Sequence, residues 1–221
     1  MMEKKEILIP IPERKTAIKG DLTVPSDAKG IVLFAHGSGS GRFSPRNQYV
    51  AKMFNQKAIA TLLIDLLTEE EEKIDALTGE YRFDIDLLSR RLMAATRWLK
   101  QNATTRKLPL GYFGASTGAA AALVAAAQLP DDVKAVVSRG GRPDLAMEYL
   151  PRVRAPTLFI VGGKDTQVLE LNRKAMEKLT AEKRLEIVPG ASHLFEEPGK
   201  LDEVVRPSID WFVAKLSQVT K

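Results

Sequence analysis

Short apolar runs alternate along the chain with longer stretches in which apolar residues recur at helical spacing. The runs predict buried strands at Gly30–Ala35, Ala58–Asp65, Val133–Ser138, Thr157–Val161 and Arg184–Val188. The stretches predict helices at Pro45–Gln56, Phe83–Asn102, Ser116–Gln128, Leu169–Leu179 and Leu201–Leu216. Strands that alternate with helices favour a mostly parallel sheet with helices on both faces. We therefore predict an α/β fold and a single domain over residues 1–221.

Two segments depart from this alternation. Glu6–Ile11 and Thr16–Thr23 resemble short strands joined around Glu13 and Arg14, which predicts an N-terminal antiparallel hairpin. Leu66–Tyr81 is less regular and carries four successive glutamates. We interpret it as a solvated surface segment, with a substrate-gating lid as the alternative.

The most informative stretch is an apolar run from Leu110 that leads into Gly114-Ala115-Ser116-Thr117-Gly118 and then into an alanine-rich helix. A G-x-S-x-G sequence between a buried strand and a helix is the pattern of a nucleophile elbow. The glycines allow the helix to start close beside the strand, and the serine occupies the strained apex. The pattern predicts that Ser116 is a nucleophile; a tight glycine turn with a structural serine is the alternative.

A serine nucleophile needs a general base and a group that orients the base. His193 follows a predicted strand, and Asp165 follows another, so both should lie at the same sheet edge as Ser116. Nucleophile, acid and histidine occur in the chain order that this architecture uses. Asp144 is the rival acid, and Asp65 is interpreted as structural. Glu196 and Glu197 lie too near the histidine in sequence to be favoured.

A developing oxyanion needs two preorganised donors, and backbone amides can supply them. We expect one from Thr117, directly after the nucleophile. The other should come from the glycine-rich loop after Ala35, where Ser38 is the first choice and Gly37 and Gly39 are near alternatives. We expect His36 to brace this loop rather than to take part in the chemistry.

The elbow, the glycine loop, Asp165 and His193 together resemble the α/β-hydrolase superfamily, and the compact chain resembles its dienelactone-hydrolase-like members. The resemblance covers nearly the whole chain, from Ile7 to Leu216, and implies an α/β-hydrolase fold. Dienelactone hydrolases proper use a cysteine at the elbow. This chain has Ser116 there and contains no cysteine, which argues against the dienelactone reaction itself.

Few residues separate the strand ending at Ser138 from the one beginning at Thr157, where larger relatives insert a helical cap. We therefore predict no large cap domain and a shallow, open site. Arg139 and Arg142 lie at the same sheet edge and are candidates to bind a substrate carboxylate or phosphate. A structural salt bridge near Asp144 is the favoured alternative for them.

Composition excludes several other classes of function. The net charge is +5, but the 33 basic residues are scattered among 28 acidic ones, so we expect no nucleic-acid partner. The absence of cysteine excludes a thiol nucleophile or a zinc–thiolate site, and the two histidines lack metal-ligand spacing. We expect no metal, no cofactor and no membrane span, and we predict a cytoplasmic location. A homodimer is left open.

These observations predict a serine hydrolase that cleaves a small carboxylic ester, thioester or lactone through Ser116, His193 and Asp165. An acyltransferase or a peptidase would use the same triad, and a ligand-binding protein could keep the fold without turnover. The sequence leaves the acyl length and the physiological substrate open.

Overall fold

The computed structural model describes residues 2–11 and 14–217, and in these residues it contains an eight-stranded sheet and six α-helices. The strands are β1 (Met2–Ile11), β2 (Thr16–Pro25), β3 (Gly30–Ala35), β4 (Ile59–Ile64), β5 (Leu110–Ala115), β6 (Val133–Arg139), β7 (Thr157–Gly162) and β8 (Lys183–Val188). The helices are α1 (Pro45–Asn55), α2 (Glu69–Thr78), α3 (Ile85–Gln101), α4 (Thr117–Gln128), α5 (Thr166–Lys178) and α6 (Lys200–Leu216).

The strands are arranged in the order β1-β2-β4-β3-β5-β6-β7-β8. β1 and β2 form an antiparallel hairpin, β2 is antiparallel to β4, and all the other neighbours are parallel. The predicted α/β fold, with its mostly parallel sheet and N-terminal hairpin, is therefore confirmed. Of the predicted connection around Glu13 and Arg14, Glu13 lies outside the described residues.

The apolar core has two layers, one on each face of the sheet. One layer holds the buried side chains of α3 and α4, and the other holds those of α1 and α6 together with Phe34, Phe113 and Phe212. The small side chains of α4 let this helix approach the sheet so closely that all its residues from Thr117 to Ala127 are buried. None of the helices in the described residues combines the length and the hydropathy that a membrane span requires.

The segment Leu66–Tyr81 differs from the expectation, because it contains the regular helix α2. A capping box starts this helix: the Thr68 hydroxyl accepts a hydrogen bond from the Glu71 amide, and the Glu71 carboxylate accepts one from the Thr68 amide. The buried side chains of α2 are Glu71 and Asp75. Because its inner face is acidic, α2 lacks the apolar stripe by which helices are recognised in a sequence.

Charged contacts attach α2 to the rest of the protein. Glu71 accepts hydrogen bonds from Arg91 on α3 at 2.6 Å and from Arg14 at 2.8 Å. Asp75 accepts one from Arg82 at 2.8 Å. The helix is therefore held mainly by ion pairs and caps, whereas the sheet and the other helices share apolar layers.

The loops that follow β3, β5, β6, β7 and β8 leave the parallel strands at their carboxyl ends and therefore share one edge of the sheet. This edge carries His36, Ser116, Arg139, Asp165 and His193. The topology thus brings the candidate site residues to one face of the molecule.

Candidate active site

Ser116 occupies the turn between β5 and α4 in a strained backbone conformation. Its φ is 50° and its ψ is −121°, a combination that residues with a side chain rarely adopt. The turn is held from β6, because the Ser116 amide donates to the Arg139 carbonyl at 3.2 Å and the Ser116 carbonyl accepts from the Arg142 amide at 3.1 Å. The strain is therefore fixed by long-range contacts.

Two of the neighbouring glycines are required by close backbone approach. A methyl group built on Gly114 would lie 2.4 Å from Ala119 Cα, and one built on Gly118 would lie 2.3 Å from the carbonyl oxygen of Ala35. Real Cβ atoms do not come this close to other atoms, so only glycine fits at either position. The G-x-S-x-G sequence thus reflects the packing of α4 against β3 and β5.

Asp165 and His193 form a hydrogen-bonded pair. His193 Nδ1 lies 2.6 Å from Asp165 Oδ2, and the carboxylate is the more buried of the two partners. Their loops are joined by backbone bonds, from the Gly163 amide to the Val188 carbonyl at 2.8 Å and from the Lys164 amide to the Ala191 carbonyl at 2.9 Å. The acid after β7 and the histidine after β8 are thereby held together.

Glu197 fixes the histidine loop from its other side. Its carboxylate oxygens accept hydrogen bonds from the Ser192 amide at 2.9 and 3.1 Å, and this backbone bond holds the pKa of Glu197 below its usual value. Sequence reasoning considered this residue only as a rival acid and missed its bracing role.

His193 also lies close to the turn that holds Ser116. A methyl group built on Gly140 would lie 3.5 Å from both Cε1 and Nδ1 of His193, and Gly140 follows the residue that bonds the Ser116 amide. No hydrogen bond joins Ser116 Oγ to the imidazole in the described part of the chain. Catalytic hydrogen bonds are often long before substrate binds, so this geometry is compatible with a nucleophile–base pair.

The predicted oxyanion residues lie side by side. Ser38 Oγ and Thr117 Oγ1 are 3.1 Å apart, which places the glycine loop directly over the start of α4. A methyl group built on Gly37 would lie 3.1 Å from Ser116 Cβ, so the loop also passes close to the candidate nucleophile.

His36 connects the glycine loop to the loop after β4. Its Nε2 accepts a hydrogen bond from the Leu66 amide at 3.0 Å, so the proton of the neutral ring is on Nδ1, which donates to the Gly37 carbonyl at 2.9 Å. Arg42 supports the same loop, because its buried guanidinium pairs with Glu6, Asp21 and Asp65. Asp65 also accepts from the Arg42 amide at 2.8 Å and therefore has a structural contact.

The His36 contacts predict a pH dependence of stability. Burial lowers the pKa of His36 below its ordinary value of 6.5, so the unfolded chain takes up a proton at a higher pH than the folded protein does. This contribution to stability is complete above about pH 6.5 and is lost as the pH falls through the folded pKa. Urea unfolding at pH 7.5 and 5.5 should show a larger loss for the wild type than for His36→Gln.

At pH 7.5 His36→Gln should itself lower the free energy of unfolding by about 1–2 kcal/mol, because a buried hydrogen-bonding side chain is replaced. A wild type and a variant with identical losses of stability between the two pH values would contradict the role of His36.

The two candidate arginines of the β6 loop differ in their surroundings. Arg142 donates two hydrogen bonds of 2.8 Å to Asp144, so it forms the structural salt bridge that was its favoured alternative, and Asp144 is engaged there. Arg139 is buried and forms no ion pair or hydrogen bond through its side chain among the described residues.

Asn172 also supports the loop after β6: it is buried on α5, and its side-chain amide donates a hydrogen bond to the Gly141 carbonyl at 3.0 Å. The sequence could have indicated this role of Asn172, because the residue is polar and lies on the inner face of a predicted helix.

An open cavity of about 920 Å³ extends from the glycine loop to α2. Its lining includes Ser38 and Thr117, Leu194 and Arg46, and Glu72 on α2. The cavity therefore offers room for a substrate beside the predicted oxyanion residues.

Comparison with known proteins agrees with this architecture. The family model described as "Dienelactone hydrolase family" matches residues 49–208. The chain is similar to a crystal structure of a dienelactone hydrolase from Anabaena variabilis, with 56% identity, a TM-score of 0.95, and coverage of 97% of this chain and 99% of that one. The structure of Est1E from Butyrivibrio proteoclasticus is also similar in fold, with 13% identity, a TM-score of 0.81, and coverage of 96% of this chain and 99% of that one.

Curated relatives from two strains of Mycobacterium tuberculosis are 56% identical over 199 residues and carry the name "Putative phosphoribosyl transferase". The match covers 90% of this chain but only 44% of those proteins, so the chain spans less than half of their length. The Anabaena structure, in contrast, is matched over 99% of its own length, and the family model covers most of this chain. The chain belongs to the dienelactone hydrolase family.

Proposed function

We propose that this protein is a serine hydrolase that cleaves a small carboxylic ester, thioester or lactone, with Ser116, His193 and Asp165 as the catalytic triad. The observation that carries the proposal is the 2.6 Å contact between Asp165 and His193 at the sheet edge where Ser116 occupies its strained turn. The membership of the dienelactone hydrolase family supports a hydrolytic function. The name of the Mycobacterium tuberculosis proteins describes whole chains of which this one covers 44%, whereas the dienelactone hydrolase family model matches residues 49–208 of this chain.

In the first half of the reaction, Ser116 Oγ attacks the acyl carbon while His193 Nε2 takes the hydroxyl proton. The Asp165 carboxylate accepts a hydrogen bond from His193 Nδ1–H and stabilises the imidazolium that forms. The amides of Thr117 and Ser38 stabilise the negative charge on the former carbonyl oxygen. The bond to the leaving alcohol or thiol then breaks, and His193 gives that group its proton.

In the second half, water attacks the ester that joins the acyl group to Ser116, and His193 takes a proton from the water. Collapse of the second tetrahedral intermediate releases the carboxylic acid and returns a proton to Ser116 Oγ. In a lactone the leaving hydroxyl belongs to the same molecule, so the product is one hydroxy acid.

A fluorophosphonate tests the nucleophile without knowledge of the substrate. Intact-mass analysis of the wild type should show one adduct, with displacement of fluoride, and peptide mapping should locate it on Ser116. Ser116→Ala and His193→Ala should remain unlabelled, because the first lacks the nucleophile and the second lacks its base. Ser40→Ala, a change in the nearby glycine loop, is the matched control and should keep the adduct.

Two outcomes would contradict the proposal: an unlabelled wild type that circular dichroism shows to be folded, or an adduct that persists in Ser116→Ala. The first outcome would favour a ligand-binding protein that kept the fold without turnover.

A further inference from the structure

Arg139 carries a buried positive charge without a counter-charge. The residue is 7% exposed, its Nη1 has no hydrogen-bond partner, and no carboxylate of the described residues pairs with it. The other buried arginines, Arg42 and Arg91, both pair with carboxylates. Burying an unpaired charge is unfavourable, so such a group usually has a partner. The structure leaves the partner of Arg139 to be supplied from outside the described chain.

The position of Arg139 connects it with the proposed active site. It is the last residue of β6, which lies between β5 and β7. Ser116 follows β5, and Asp165 follows β7. The Arg139 carbonyl accepts a hydrogen bond from the Ser116 amide, and the next residue, Gly140, lies against His193. The backbone of Arg139 and Gly140 therefore contacts both the Ser116 turn and His193.

The Arg139 side chain is directed to the sheet face covered by α1 and α6. Side chains alternate along a strand, and Ala135 and Val137 belong to the apolar layer of α1 and α6, so Arg139 has the same orientation. Burial, and after it the positive charge of Arg46 in the first turn of α1, lower the pKa of the Arg139 guanidinium to about 10. Both arginines border the loop that carries His193, because Arg46 pairs with Glu196 and Gly140, the residue after Arg139, lies against His193.

Arg46 extends this positive region to the cavity. It lines the cavity together with Ser38 and Thr117, and its Nε is buried without a hydrogen-bond partner. Its Nη1 donates to Glu196 at 3.0 Å, but that carboxylate is mostly exposed to solvent. The N-terminus of α1 adds a partial positive charge at the same place. Among the described residues, the only carboxylate that pairs with either guanidinium is thus the solvated Glu196, which pairs with Arg46.

We propose that Arg139 and Arg46 bind a phosphate group carried by the substrate of the reaction at Ser116. This inference rests on the proposed hydrolase function, and it names the substrates as phosphorylated esters, thioesters or lactones. A phosphate has two charges and several oxygens, so it can accept hydrogen bonds from both guanidinium forks, whereas a carboxylate offers one charge and two oxygens. Arg142 is not part of this subsite because Asp144 occupies its guanidinium.

Three 4-nitrophenyl esters with matched acyl chains test the preference: butanoate, which is neutral, the succinate monoester, which has a carboxylate, and 3-phosphonopropanoate. For the wild type, kcat/KM should be highest for the phosphonate ester. In Arg139→Met the ratio of kcat/KM for the phosphonate ester to that for butanoate should fall about 10- to 100-fold, because charge-assisted hydrogen bonds are lost. Arg139→Lys should give an intermediate ratio, and Arg142→Gln should keep the wild-type ratio.

Thermal unfolding with inorganic phosphate tests the subsite without turnover. Phosphate should raise the Tm of the wild type and have little effect on Arg139→Met. Without phosphate, Arg139→Met should unfold about 2–4 °C above the wild type, because the substitution removes an uncompensated buried charge. A purely structural arginine would give the opposite change.

The outcomes separate the two proposals. If the wild type resists fluorophosphonate and cleaves none of the esters, the hydrolase proposal fails, whereas the phosphate-dependent Tm still decides the binding of phosphate. If the wild type cleaves butanoate but shows no preference for either charged ester, the subsite is overturned. A higher kcat/KM for the succinate ester than for the phosphonate ester would overturn the assignment to phosphate.

Discussion

Replacing Ser116 with alanine is expected to lower the kcat of ester hydrolysis by about a millionfold, the loss typical of a serine nucleophile that acts as a unit with its base. His193→Ala should have a similar effect, because Ser116 Oγ is a poor nucleophile unless its proton is removed. The double variant should be no worse than either single one. Asp165→Asn should lower kcat by about 10⁴, since His193 loses the acceptor that fixes its tautomer.

Rates with 4-nitrophenyl butanoate, normalised to folded protein by circular dichroism, give these values. The non-additivity is the sharpest part of the test, because losses that multiply in the double variant would mean that Ser116 and His193 act independently. Wild-type activity in Ser116→Ala would rule out the triad.

Gly118→Ala is expected to lower the free energy of unfolding by about 3–5 kcal/mol, or to prevent folding, because the added methyl group meets atoms that cannot retreat. It would lie 2.3 Å from the Ala35 carbonyl oxygen and 2.4 Å from that of His36. Both belong to the backbone at the end of β3, where Ala35 is paired with Gly114 of β5. Urea unfolding at neutral pH measures the loss.

Gly39→Ala is the control for this experiment. Gly39 has a φ of 66° but no atom within 4 Å of a built methyl group, so alanine there meets only the left-handed backbone strain of about 1–2 kcal/mol. If both variants lose equal stability, the contact between α4 and β3 is not what requires glycine at position 118.

The sequence predicted those parts of the site whose geometry follows from the parallel sheet. The elbow around Ser116 has its own local pattern, and Asp165 and His193 follow predicted strands whose ends must share an edge. Ser38 and Thr117 could be paired for the same reason, and their hydroxyls are 3.1 Å apart. In these cases the chain order and the sheet topology were sufficient to bring the residues together.

Other features depend on side-chain packing that no local pattern encodes. Helix α2 was missed because its buried residues, Glu71 and Asp75, are charged, and Arg91, which pairs with Glu71, is 20 positions away from it. The sequence also does not distinguish Arg139 from Arg142, because both are arginines and they lie three positions apart. Only the three-dimensional structure shows that one of them is paired with Asp144 and the other is buried without a partner.

The attachment of α2 by charged residues has a consequence for how this protein can diversify. One wall of the cavity is a helix that contributes little to the two apolar layers, so substitutions on its cavity side, at Glu72 or Ala76, change the shape and charge of the cavity with little effect on the core. The glycine loop also lines the cavity, but at Gly37 it passes so close to Ser116 that a side chain there would meet the serine. The shape and charge of the cavity can therefore evolve, or be engineered, on α2 while Ser116, Asp165 and His193 remain as they are.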